Sequence, residues 1–227
     1  VCLSMSPTTN PADAGIFEQS VRRWSEVITG DLPDVSLDAL GYSVSQMNSA
    51  CGFTTTFPDR IVDDVDICGR VEFIDGTSGI LGFAANVLAR TTGSSSGTAV
   101  FGYMAFDSAD VPNLRSAGTY EAVILHEMGH VLGIGTLWDD NGLIASSFRP
   151  GCDSYMGPNA IREYQQLSGC TSRGPPIEIS SFSSGTDCVH WSEFCFGREL
   201  MTGYLSAGVH SSFSRLSVAT LEDLNYE

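Results

Sequence analysis

Apolar positions change their period several times along the first 134 residues. Residues 1–6 alternate as a short strand does, and residues 7–15 form a turn-rich lead. Residues 16–29 then place Phe17, Val21, Trp24, Val27 and Ile28 close to helical spacing, with Gly30 ending the run. Short strands are expected over 35–40 and 71–74, and richer ones over 81–88 and 98–106. The last two are separated by Thr91-Thr92-Gly93-Ser94-Ser95-Ser96-Gly97, a hairpin-like connection. The strongest helix lies over 119–132, entered from the turn-forming Ser116-Ala117-Gly118 and closed by Gly133.

From residue 135 to about 197 the chain is rich in Gly, Pro, Ser and Cys, with only 159–167 clearly helical; 215–224 reads as a short closing helix. No internal repeat is present. The alternation of strands and helices followed by an irregular stretch predicts an α/β (α+β) chain. Residues 1–227 form a single domain in this reading, with an upper part over about 1–134 and a lower part over about 135–227.

Composition narrows the function classes. All eleven basic residues are Arg, against 27 Asp and Glu, for a net charge of -16. So acidic a chain, with no basic cluster, argues against nucleic-acid and anionic-lipid binding, and the absence of Lys removes Schiff-base and P-loop chemistry. No apolar window is long enough to span a membrane. Seven cysteines without a C-x-x-C pair suggest an oxidising compartment, hence a secreted protein. Proximity suggests Cys51 with Cys68, Cys152 with Cys170 and Cys188 with Cys195, leaving Cys2 over; six cysteines allow 15 pairings, so proximity is the only guide.

His126-Glu127-Met128-Gly129-His130 is an H-E-x-x-H run inside the strongest helix. Residues four apart share a helix face, so two imidazoles can converge on one metal ion while Glu127 reaches a water beside it. A catalytic zinc needs a third protein ligand and an open position. Only His190 and His210 remain, and Gly133, three residues after His130, lets the backbone leave the helix abruptly. The alternative within enzymes is a thermolysin-like site with Glu163 as third ligand. A different class is a zinc-containing binding or adhesion module without proteolysis. Acidic turns at Asp63, Asp64 and Asp66, and at Asp139, Asp140 and Asn141, are the candidates for structural calcium, although neither has EF-hand spacing.

The His-x-x-Gly ending is a metzincin pattern, but Thr136 stands where most metzincins carry the third His. Four stretches, Leu125 to Gly133, His190-Trp191, Glu199-Leu200-Met201 and the terminal Leu221 to Leu224, resemble the leishmanolysin-like metallopeptidases, which insert a long segment before that His. The upstream Asp66 to Gly69 and the strand pair over 79–106 look similar too. The resemblance implies a secreted zinc endopeptidase acting on protein or peptide substrates, with His126, His130 and His190 as ligands and Glu127 as general base. It also implies Met201 as the Met-turn residue and a zymogen held by a pro-segment cysteine. Its architecture would be a metzincin-type zincin: a twisted mixed sheet, an active-site helix, an edge strand within 82–89 along the cleft, and an irregular lower subdomain. Gly203 stands where some metzincins carry an assisting Tyr, so Tyr204 has no catalytic role; with His210 it is a candidate for the substrate pocket. The protein is expected to be a monomer, and a disulfide straddling His190 would restrict the ligand loop.

Overall fold

A four-stranded mixed sheet organises the first of two units in the computed structural model. That model describes residues 2–5, 10–52, 61–145, 154–169, 173–179, 185–205 and 211–227. The first unit comprises Val1–Arg90 and Ala99–Leu132, and the second Thr91–Thr98 and Gly133–Glu227. The architecture is α+β.

In chain order the first unit contains β1 (Cys2–Met5), α1 (Pro11–Ser25), β2 (Val35–Ser36), α2 (Val44–Cys51), β3 (Ile61–Val62), β4 (Asp66–Glu72), β5 (Gly82–Ala89), β6 (Ala99–Asp107), α3 (Val111–Ala117) and α4 (Tyr120–Val131). The sheet order is β1-β4-β6-β5, parallel except for β5, which runs antiparallel to β6 along one edge. Strand β6 is buried almost throughout, which is why its sequence is a continuous apolar run rather than an alternating one. Phe17 of α1 meets Phe106 edge to face at 5.4 Å, and Tyr120 of α4 meets Phe106 at 5.7 Å. Glycines let the helices approach: a Cβ on Gly102 would lie 2.5 Å from Val131 Cγ1, and one on Gly69 3.1 Å from Phe17 Cε1. A Cys51–Cys68 disulfide ties α2 to β4.

Several boundaries differ from the sequence expectation for physical reasons. Helix α1 begins at Pro11, whose fixed φ suits a first turn, and ends at Ser25, so Val27 and Ile28 lie in the turn that closes it. The apolar run over 35–40 is a strand only at Val35–Ser36, because Leu37 begins a turn in which Tyr42 N–H donates to the Leu37 carbonyl. The strand expected over 71–74 is the end of β4. Helix α2 had a legible start, a capping box in which Ser43 N–H donates to Gln46 Oε1 and Gln46 N–H to Ser43 Oγ.

The loop from β4 to β5 is anchored from beneath by carboxylates. Asp107 accepts the amides of Ile74, Asp75 and Gly76 on Oδ2 and that of Ala109 on Oδ1, and Asp110 accepts that of Ser78. Those amides hold the Asp107 carboxyl below the usual carboxylate range, the Ala109 bond contributing most.

The second unit carries α5 (Pro158–Ser168), α6 (Glu193–Phe196) and α7 (Arg215–Asp223) around a cluster of Trp138, Tyr155 and Trp191, with ring centroids 4.6 to 5.2 Å apart. The Asp223 carboxylate accepts the Asn159 and Ala160 amides, fastening the start of α5 to α7. Segment 91–98 belongs to this unit: Asn225 Nδ2 donates to the Ser96 carbonyl at 2.7 Å. Among the described residues no helix is long and apolar enough to cross a membrane.

Candidate metal centre

Helix α4 is fixed along its length before any ligand is considered. Trp24 Nε1 donates to the Leu125 carbonyl at 3.2 Å, and Asn86 Nδ2, from β5, donates at 2.9 Å to the carbonyl of Val131. The Val131 carbonyl belongs to the last turn, where the helix has no partner of its own to offer. On the helix held in this way, His126 and His130 lie one turn apart with their Nε2 atoms 3.0 Å from each other. Two nitrogens bound to one tetrahedral zinc at ~2.0–2.1 Å are about 3.3 Å apart, so the spacing suits a shared metal ion after a small adjustment. His130 is buried and His126 half-buried.

Glu127 is buried, and burial pushes its carboxyl up to about 8. Its Oε1 lies against β5: a Cβ built on Gly82 would stand 3.3 Å from it and 3.0 Å from the Ala105 carbonyl oxygen.

Within the second unit, Gly133 and Gly135 turn the chain with φ of 111° and 82°. A Cβ on Gly135 would overlap the Val189 carbonyl oxygen, so only glycine permits this approach to the segment that carries His190. That segment is fixed by Glu178, whose N–H donates to the His190 carbonyl at 2.8 Å and whose carbonyl accepts from Cys188 N–H at 3.0 Å. His190 is buried with Nδ1 3.0 Å from the Thr186 carbonyl oxygen. A carbonyl only accepts, so Nδ1 carries the proton and Nε2 keeps its lone pair, the tautomer a metal ligand through Nε2 requires. Gly203 leaves room for this ring, since a Cβ there would meet His190 Cγ at 3.5 Å. Met201 is fully buried, and its carbonyl accepts from Trp191 N–H at 3.0 Å.

Other expectations fare differently. Cys188 and Cys195 do not pair: Cys188 is disulfide-bonded and nearly buried, with φ of 63°, whereas Cys195 is a free thiol exposed on α6. The two sulfurs sit in different environments, one turned into the fold and the other into solvent. Cys152, Cys170 and His210 lie outside the described residues. Tyr204 is exposed. The Glu163 carboxylate is ion-paired to Arg215 at 2.9 Å, which gives it a structural partner in α7. Of the acidic turns, Asp63 and Asp64 gather with Asp31, their carboxylate oxygens within 4.8 Å, and mutual repulsion raises the Asp63 carboxyl, the Asp64 charge contributing most. Asp66 is separate and buried in β4. Asp139 and Asp140 are exposed, and Asn141 Nδ2 donates to the Leu137 carbonyl.

Glu199 was quoted in the sequence only as part of a motif, yet it is a buried hub. Its Oε1 accepts from Ser214 Oγ and Ser217 Oγ, both at 2.6 Å, and its Oε2 from Met201 N–H at 2.5 Å. Burial raises its carboxyl above the ordinary value while these donors oppose the rise. Asn86, Thr186 and Ser217 were also invisible, because their roles arise from partners 4 to 45 residues distant.

No protein-family profile matches the chain, and no curated protein matches it at a significant level.

Proposed function

We propose that the protein is a zinc-dependent endopeptidase of metzincin type, resembling the leishmanolysin-like enzymes, in which His126, His130 and His190 hold the metal ion and Glu127 is the general base. The observation that carries this reading is the pair of Nε2 atoms 3.0 Å apart on α4 with the buried Glu127 carboxyl between them in sequence. The Nδ1-protonated form of His190 supports its place as the third ligand. Three neutral imidazoles leave a zinc ion its full charge, and such an ion supplies Lewis-acid chemistry by acidifying water and polarising the scissile carbonyl.

Glu127 then has one task, to take a proton from the attacking water and return it to the leaving amine. Its approach to Gly82 puts that carboxyl beside β5, the antiparallel edge strand. An extended peptide adding to that edge by backbone hydrogen bonds would pass the base with little dependence on side-chain identity. The Cys51–Cys68 disulfide favours secretion.

The test uses purified protein with measured zinc content and unfolded casein as substrate. Cleavage is expected to stop on chelation and return with zinc. Glu127→Ala should abolish turnover while zinc stays bound, and His190→Ala should lose both. Zinc-loaded protein that leaves casein intact would overturn the enzyme reading in favour of a zinc-binding module.

A further inference from the structure

Glu199 brings a carboxylate into a wholly buried place, next to side chains that have no charge to offer it. Such a group is costly to desolvate, and an apolar side chain of the same volume would fill the space at lower cost. What the carboxylate adds is direction, because it fixes three donors at once. One donor is the Met201 amide. Another is Ser217 Oγ, which in turn accepts from Trp191 Nε1 at 3.0 Å. The two arms therefore end on two segments already joined to each other, since Trp191 N–H donates to the Met201 carbonyl and Trp191 bridges Thr202. Trp191 is the residue after His190, and its indole is held against Trp138 and Tyr155. An indole fixed at both its face and its N–H fixes the backbone from which His190 projects.

We propose that Glu199 is a positioning residue: acting through the Ser217 hydroxyl on Trp191 and directly on the Met201 amide, it sets the geometry in which His190 is presented to the metal ion. This rests on the reading of His190 as a zinc ligand. No bond is made or broken by Glu199, and its third donor, Ser214 Oγ, ties the same carboxylate to the start of α7, where Ser214 caps the helix by accepting from Ser217 N–H. A partner of a metal ligand that acts at one remove typically tunes metal affinity by ~10–100-fold.

The experiment compares Ser217→Ala, Trp191→Phe and Glu199→Gln in the full chain. It measures zinc affinity by competition with a chromogenic chelator, the visible spectrum of the cobalt(II)-substituted protein, and melting of the metal-free form. Asp223→Asn is the control, because it weakens the start of α5 in the same unit without touching the His190 arm. Ser217→Ala and Trp191→Phe should each weaken zinc binding by about 10-fold and alter the cobalt spectrum, while Asp223→Asn lowers the melting temperature and leaves both unchanged. Zinc affinity within twofold of wild type and an unchanged cobalt spectrum in Ser217→Ala and Trp191→Phe would overturn the proposal, whatever happens to their melting. These two variants decide the matter if Glu199→Gln does not fold. If His190→Ala binds zinc as tightly as wild type, the reading beneath the proposal has failed instead.

Discussion

Replacing Gly82 by Ala adds one methyl group at a place where the structure leaves no room for it. The new Cβ would stand 3.0 Å from the Ala105 carbonyl oxygen, 3.1 Å from Phe106 Cδ1 and 3.3 Å from Glu127 Oε1. The first neighbour is backbone, locked by the pairing of Phe83 with Ala105, so it cannot yield alone. The strain divides between an outward shift of β5 by a few tenths of an ångström and a comparable swing of the Glu127 carboxyl. Overpacking of this kind costs about 1 kcal/mol at its mild end, which lowers the melting temperature by roughly 2–4 °C in a chain of this size. Catalysis is more sensitive: a misplacement of ~1 Å costs about 100-fold, so a few tenths should cost about 3–10-fold in kcat. The assay is steady-state hydrolysis of a quenched fluorescent peptide, with zinc content measured alongside. Unchanged kcat in a protein that melts at the lower temperature would refute the placement of the base beside β5.

Two further predictions concern the first unit. Asp107→Asn should reduce the melting temperature by roughly 5–10 °C at neutral pH, because an amide cannot accept from all four backbone donors. The folded-state value is lowered, so the ionised carboxylate contributes fully above the ordinary 3.8 and the contribution is lost as pH falls through the folded value; the wild-type advantage should narrow below about 3.8 and persist above it. Replacing Cys51 and Cys68 together by Ala opens a loop of 17-residue separation and should cost about 3 kcal/mol in a urea titration.

Legibility in the sequence followed how local each determinant is. Helix α4 and its His126-Glu127-Met128-Gly129-His130 run were plain because a helix encodes its own periodicity, and β5 and β6 because a buried strand shows as an apolar run. Strand β4 was displaced because Asp66 and Arg70 break its apolar signal; the structure buries Asp66 and holds Arg70 through the Ala50 carbonyl and Glu72, partners a local pattern does not register. The Cys51–Cys68 bridge followed proximity, whereas Cys188 and Cys195 did not, since nearness in sequence says nothing of which way a side chain turns. For the same reason the Thr186 carbonyl behind His190 and the Ser217 hydroxyl behind Trp191 could not be read from spacing.

Segment 91–98 makes the order of synthesis matter. It leaves the ribosome between two strands of the first unit, yet it belongs to the second, and the Asn225 side chain that seats Ser96 is made 129 residues later. The first unit can close around β5 and β6 early, carrying this segment as an unsatisfied loop that waits for its partner. A nascent chain stalled anywhere before residue 225 would therefore expose residues 91–98 to proteases. Dividing the gene at the boundary after Leu132 would yield two fragments, each lacking something the other holds, and only co-expression could bring segment 91–98 back to its own unit.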